Sequence, residues 1–262
     1  MKKTVFFLRR IALLCALSCL VCLTAPAEEM PAVADEPLVL TERFEELFQK
    51  NGDIIGWIEA GTQISEVVTF REHDNEYYLH RDLYGNYSEN GTVYADERYM
   101  DWKSDPYILL YGHNMRSGAM FGCLDNYLNG DYLKENARVR VYLPYSETPL
   151  EYVPFAALDM CAIPNAYGYF PLRCFEEFRI PKDEAAKGKR DEKVAELLNT
   201  IRTRAKWSLS EIDVTPDDRV IGLVTCSYHY ESGRLILFCR ALRPEETPEE
   251  MQELVRKSVE EW

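Results

Sequence analysis

The sequence predicts a mostly β domain of eight short strands, arranged either as a closed barrel or as a sandwich. Short apolar runs recur along the chain and are separated by clusters of turn-forming residues. A hydrophobic content of 47%, with 12% aromatic residues, supports a packed core rather than disorder. The predicted strands are 54–58, 67–70, 92–95, 107–111, 138–143, 151–162, 219–226 and 234–241.

Three helices are predicted around these strands. Apolar residues at helical spacing between Thr41 and Asn51 indicate a short amphipathic helix near the start of the domain. The charged stretch 182–206 carries a second apolar stripe and precedes the strand that ends at Cys226. Residues 247–250 form a capping box with proline at the first helical position, which predicts a final helix.

The first 27 residues predict an export segment. Four basic residues precede an apolar run that ends at Ala25-Pro26-Ala27, a pattern typical of a signal-peptidase site. The run is shorter than the roughly 20 residues that span a bilayer comfortably, which favours a cleaved signal peptide over a retained anchor. We therefore expect a signal peptide or membrane anchor over 1–27, a linker over 28–40 and an exported domain over 41–262.

The charge of the remaining chain excludes some partners. Without the four basic residues of the export segment, 26 basic and 44 acidic residues remain, a net charge of −18. Such a charge disfavours binding to nucleic acid or to anionic lipid headgroups. No clustered acidic loop indicates calcium and no cysteine–histidine spacing indicates zinc, so we expect no metal or other cofactor.

The chemistry-bearing residues fall at strand ends. The exported part has five cysteines (Cys123, Cys161, Cys174, Cys226 and Cys239), and an odd number cannot all pair internally. Cys226 ends one predicted strand and Arg234 begins the next, while His113 follows Gly112 at the end of another. An imidazole can take the proton of a thiol, and a guanidinium can stabilise an oxyanion. The same spacing also fits a core cysteine, a turn histidine and a surface arginine.

Several motifs resemble the sortase family, class B in particular. Val224-Thr225-Cys226 followed by Arg234 resembles the sortase signature, and Tyr111-Gly112-His113-Asn114-Met115 resembles the class B histidine segment. Upstream segments similar to class B occur in the same order: Gly56-Trp57-Ile58, Asp74-Asn75-Glu76-Tyr77-Tyr78-Leu79 and Asn90-Gly91-Thr92-Val93-Tyr94-Ala95-Asp96. The matches run from about residue 41 to 242 and together are specific.

The resemblance implies an eight-stranded sortase-type β-barrel with an N-terminal helix, a helix before the Cys-bearing strand and a C-terminal helix. It implies a cysteine transpeptidase with His113, Cys226 and Arg234 as catalytic residues. The enzyme would cleave a C-terminal sorting signal of another exported protein after Thr and pass the product to an amine of a cell-wall precursor or a pilin. By similarity, the sorting-signal groove would be lined by Asn75, Leu79, Tyr111 and Thr225.

One departure from the family concerns the segment after the nucleophile. Residues 227–231 contain no aspartate, so no orienting carboxylate of the Ser-His-Asp kind is evident. His229 lies three residues from Cys226 and could compete with His113 as the base. Because residues three apart on a strand face opposite sides, we favour His113.

Two alternative functions remain open at this point. The first is a secreted cysteine endopeptidase or amidase, which would use the same nucleophile with water as the acceptor. Its papain-like form is disfavoured because here the histidine precedes the cysteine, which follows a β-rich run. The second is a catalytically inactive surface module on the same barrel, which would need no reactive thiol.

Overall fold

A computed structural model of the chain describes residues 40–181, 183–260 and 262. Eight strands close into a mixed barrel in the order β5-β1-β2-β3-β4-β8-β9-β6, and β6 pairs with β5 to complete the ring. The predicted eight-stranded barrel is therefore confirmed. The strands are β1 Ile54–Ala60, β2 Ile64–Thr69, β3 Val93–Ala95, β4 Tyr107–Tyr111, β5 Val139–Leu143, β6 Ser146–Cys161, β7 Trp207–Ser208, β8 Val220–Ser227 and β9 Gly233–Ala241.

Two parallel pairs interrupt the otherwise antiparallel barrel. They join β2 to β3 and β4 to β8. Parallel neighbours need a long crossover connection, and both connections here carry helical turns. Since parallel strands end at the same edge, the ends of β4 and β8 meet at one rim of the barrel, where β9 begins.

Five α-helices accompany the barrel in the part of the chain that the structure describes: α1 Glu42–Lys50, α2 Gly130–Glu135, α3 Phe175–Phe178, α4 Glu184–Arg204 and α5 Pro248–Glu260. The predicted helices correspond to α1, α4 and α5. The sequence reading missed α2, α3 and the two-residue strand β7, because so few residues show no periodicity. None of the described helices is long and apolar enough to cross a membrane.

The predicted export segment 1–27 and residues 28–39 of the predicted linker lie outside the described residues. The core of the barrel is continuous and apolar, with Ile58, Val68, Leu109, Leu223 and Phe238 each inaccessible to solvent. Strands β4, β8 and β9 consist mostly of apolar residues, so side chains on both of their faces are buried.

Helix α5 is attached to the barrel by a buried ion pair. Arg240 of β9 is 1% exposed and donates from Nη1 and Nη2 to the two carboxylate oxygens of Glu246, at 2.6 and 2.8 Å. Thr247 and Glu250 then form the predicted capping box, in which the Glu250 amide donates to Thr247 Oγ1 at 3.3 Å. Burial alone would raise the pKa of Glu246, but the hydrogen bonds from Arg240 and the Arg243 amide, together with the positive charges of both arginines, lower that pKa overall.

We predict that Glu246→Gln lowers the free energy of unfolding by about 3–5 kcal/mol at pH 7, because it leaves the buried Arg240 charge uncompensated. A carboxylate with a lowered folded-state pKa stabilises the fold above its unfolded pKa, and this contribution is lost as the pH falls through the folded pKa. Urea unfolding at several pH values should therefore show a difference from wild type that shrinks as the medium becomes more acidic.

Glu253→Gln is the matched control, since Glu253 is half exposed and its ion pairs with Arg256 and Lys257 lie on the helix surface. Its effect should stay within about 0.5 kcal/mol. A Glu246→Gln variant that unfolds at the same urea concentration as wild type would show that the buried pair does not stabilise the fold.

Candidate active site

The strand register brings the three predicted catalytic residues to one rim. Cys226 and Arg234 are direct partners across the antiparallel pair β8–β9. On the other side of β8, Tyr111 of β4 is the partner of Val224, and the Gly112 amide continues the ladder by donating to Val224 O at 3.1 Å. His113 therefore leaves β4 beside Cys226, at the separation of neighbouring strands, about 4.8 Å between backbones.

The same register decides which face each side chain occupies. Direct partners on neighbouring strands project to the same side of a sheet, and alternate residues of one strand share a face. Cys226, Arg234 and Tyr111 consequently share one face of the barrel wall. Thr225 projects to the other face. The residue is 2% exposed, and its hydroxyl donates to Gly112 O at 2.8 Å.

Gly112 is needed at the end of β4 because of a close approach rather than a special backbone angle. A Cβ atom at this position would lie 2.8 Å from two ring carbons of Phe121 and 3.2 Å from Val93. Gly112 is not among the described residues with positive φ, so its role here is steric. The absent side chain lets Phe121 pack beneath the strand end.

A main-chain carbonyl orients His113. The Nε2 atom lies 2.7 Å from the carbonyl oxygen of Leu79. Because a carbonyl only accepts, Nε2 carries the proton in this contact, which leaves Nδ1 as the nitrogen that can accept one. The His113 ring also stacks on His80, with ring centroids 5.4 Å apart. Leu79, predicted to act through its side chain in the groove, thus has a second role that no sequence pattern indicated.

Two of the predicted groove residues are hydrogen-bonded to the buried carboxylate of Asp96, which the sequence analysis did not identify as a site residue. Asp96 is fully buried and accepts hydrogen bonds from the Tyr111 hydroxyl at 2.8 Å and from Asn75 Nδ2 at 3.2 Å. Arg173, from the loop before α3, donates to the same carboxylate at 3.1 and 3.2 Å. Burial and the neighbouring Asp96 carboxylate raise the pKa of Tyr111 far above its usual range.

Asn75 is further engaged through its carbonyl oxygen, which accepts from the Glu97 amide at 2.8 Å. Both ends of its side-chain amide are therefore used within the protein. Tyr94, also missed, is the cross-strand partner of Tyr111, with ring centroids 5.3 Å apart. Burial raises the pKa of Tyr94 to about 12, while the positive charge of Arg234 acts in the opposite direction.

His229 does not share the environment of His113. It lies beyond the end of β8, and its Nδ1 is 2.7 Å from Oδ2 of Asp159, whose side chain is 1% exposed. Asp159 is the register partner of Leu235, which is in turn the partner of Thr225. The His229–Asp159 pair is therefore associated with the face opposite Cys226.

We predict that Cys226 is the thiol of the described domain that reacts first with an alkylating reagent. It is partly exposed, whereas the other four cysteines of the described domain are 5% exposed or less: Cys123, Cys161, Cys174 and Cys239. Burial raises the pKa of the Cys174 thiol to about 12 and also raises those of Cys123 and Cys239, which keeps these thiols neutral at ordinary pH. Iodoacetamide labelling with peptide mapping should show this order.

The control for this labelling is Cys226→Ala, which should remove the fast phase in the domain and leave the slow labelling of the other thiols unchanged. Equally fast domain labelling of the variant and wild type would contradict the assignment of Cys226 as the reactive thiol.

Comparison with known proteins agrees with this architecture. No protein-family model matches the chain. Sortase B of Listeria monocytogenes is 25% identical over 198 residues, covering 75% of this chain and 72% of the relative. Sortase B of Staphylococcus aureus is 23% identical over 207 residues, covering 77% and 75%.

A solved structure of the Staphylococcus aureus sortase B–substrate complex has the same fold, with a TM-score of 0.62, 22% identity, and coverage of 79% of this chain and 87% of that one. The resemblance drawn from the motifs is thereby supported by both sequence and structure. Class B sortases are cysteine transpeptidases, and this chain is similar to them in both sequence and fold.

Proposed function

We propose that the protein is a sortase-type transpeptidase that cleaves the C-terminal sorting signal of another exported protein after Thr, with Cys226 as nucleophile, His113 as acid–base and Arg234 as oxyanion donor. The observation that carries the proposal is the direct pairing of Cys226 with Arg234 beside the carbonyl-oriented His113. The partly exposed positions of all three side chains leave them open to a peptide.

The first half of the reaction forms a thioester. His113 Nδ1 takes the thiol proton, and the thiolate of Cys226 attacks the scissile carbonyl carbon. Negative charge develops on the carbonyl oxygen, where Arg234 can donate further hydrogen bonds, since within the described part of the chain its guanidinium is engaged only through Nη1, at 2.8 Å from Gly233 O. As the tetrahedral intermediate collapses, the C–N bond breaks and the imidazolium gives its proton to the leaving amine.

The second half resolves the thioester with an amine. The neutral imidazole accepts a proton from the incoming amine, whose nitrogen attacks the thioester carbonyl and displaces the Cys226 thiolate. Aminolysis exceeds hydrolysis only when an amine is held in attacking geometry. We propose that the acceptor is an amine of a peptidoglycan precursor or of a pilin, as the sortase resemblance implies.

The sorting-signal groove is proposed to lie on the face shared by Cys226 and Arg234, with Asn75, Leu79, Tyr111 and Thr225 as its lining or support. Asn75 and Tyr111 would form a rigid wall, because their polar atoms already bind Asp96 and Glu97. Thr225 would support the groove from the opposite face. The substrate complex of the Staphylococcus aureus relative supports a peptide substrate of this kind.

We further propose that the domain works on the outer side of the cytoplasmic membrane, anchored by the N-terminal segment or released after its cleavage. The basic residues before the apolar run support this orientation. Protease added to intact, wall-stripped cells should digest any domain that stays with the cells, and a released domain should be found in the medium. A cell-bound domain that survives protease until the cells are lysed would contradict this location.

The test of function is the partition between transfer and hydrolysis. Peptides bearing a Thr–Gly or Thr–Asn signal should be cleaved after Thr. When oligoglycine or a diamino-acid peptide is added, ligated product should form at the expense of hydrolysis, with ping-pong kinetics. Cys226→Ala is the control and should form neither product.

If no amine changes the ratio of ligated to hydrolysed product while hydrolysis stays fast, the protein is an endopeptidase that uses water as the acceptor, and the transpeptidase proposal is wrong. A reactive Cys226 thiol with no cleavage of any sorting peptide would contradict the proposed substrate class. An unreactive thiol without cleavage would instead favour the inactive surface module.

A further inference from the structure

The loop that follows His113 is closed tightly on itself. The Phe121 amide donates to His113 O at 3.0 Å, and Asn114 and Met120 form an isolated antiparallel bridge. Gly122 packs against this turn so closely that a Cβ atom there would lie 2.1 Å from Met115 O. A loop closed in this way holds the backbone on both sides of the bridge in one conformation.

One side chain of this loop reaches across to the nucleophile. Asn114 Nδ2 donates to the main-chain carbonyl of Cys226 at 2.8 Å. The same nitrogen lies 3.5 Å from Oδ2 of Asp125. Both neighbouring atoms are acceptors, so the amide nitrogen, not the amide oxygen, must face them. The contact joins the residue next to His113 to the residue that carries the reactive thiol.

The far end of the loop is attached to a third strand. The Met120 amide donates to Oε1 of Glu66 in β2 at 3.0 Å. Met120 has a φ of 55°, a left-handed conformation that is rare for a residue with a side chain. The loop is therefore attached to the barrel at β2 as well as at β8, and Asn114 provides its side-chain contact to β8.

We infer that Asn114 is a positioning residue that sets the distance between the His113 imidazole and the Cys226 thiol. His113 and Asn114 are adjacent, and the acceptor belongs to Cys226, so this one hydrogen bond limits the relative movement of base and nucleophile. Proton transfer requires the two groups within hydrogen-bond reach, and small misplacements slow a reaction strongly. The inference rests on the proposed function, since it concerns the same two groups.

Asn114→Ala in the full chain tests the inference. Alkylation of Cys226 by iodoacetamide across pH should show a midpoint shifted to higher pH, because the thiolate loses the support of a well-placed imidazolium. The kcat for sorting-peptide cleavage should fall about 10- to 100-fold, with KM changed less than about twofold. Asn114→Asp should do the same, since a carboxylate oxygen repels the Cys226 carbonyl.

Two variants serve as matched controls. Asp125→Ala removes the second acceptor and keeps the bond to Cys226, and Arg116→Ala changes an exposed side chain of the same loop. Both should retain the alkylation midpoint and kcat of wild type. The alkylation arm needs no peptide, so it decides the role of Asn114 even where wild-type protein fails to cleave a sorting signal and the proposed substrate is wrong.

A wild-type alkylation midpoint in Asn114→Ala would overturn the inference. So would a loss of activity that matches a smaller folded fraction, measured by thermal unfolding, with kcat per folded molecule unchanged.

Discussion

The parallel hydrogen-bond ladder between β4 and β8 is the constraint on which the candidate site depends. It joins residues that are more than a hundred positions apart, from the pair Tyr107–Val220 to the pair Tyr111–Val224. The ladder makes both strands end at one rim, and the antiparallel β8–β9 pairing adds Arg234 there. A slip of one residue would turn Cys226 toward the buried face and expose Thr225 instead.

Side chains at this rim are fixed by hydrogen bonds to other groups of the protein. Asp96 joins the strand residue Tyr111, the loop residue Asn75 and Arg173 of the segment before α3. A buried carboxylate is tolerated because donors from several elements satisfy it, and removing any one would leave charge or polar atoms unpaired. The wall of the proposed groove is consequently built in the free protein, which would lower the entropic cost of ordering side chains on binding.

His113 differs from the familiar arrangement in which a carboxylate orients the imidazole. Here the Leu79 carbonyl takes that place, and the carboxylate of Asp159 lies beside His229 instead. The absence of an aspartate after Cys226, noted in the sequence, therefore leaves His113 oriented by a neutral dipole. Such a partner fixes the tautomer while adding less stabilisation to the imidazolium than a carboxylate would.

The strands and the three longer helices could be predicted because each is encoded locally, by apolar runs, helical spacing and a capping box. The contacts around the site could not. Arg173 lies 77 positions from Asp96, Leu79 lies 34 from His113 and Asn114 lies 112 from Cys226. Nothing in the neighbouring sequence of these residues indicates their partners. The requirement for Gly112 was equally hidden, since it arises from Phe121 packing in three dimensions.

We propose that the register at this rim makes Cys226 a nucleophile that forms a thioacyl intermediate. Intact-mass analysis of acid-quenched mixtures of the enzyme with a sorting peptide can detect that intermediate. We expect an adduct with the mass of the peptide up to and including Thr, mapped to Cys226, which disappears when an amine acceptor is added. Turnover of the peptide by an enzyme that never carries this adduct, or that retains activity as Cys226→Ala, would rule out Cys226 as the nucleophile.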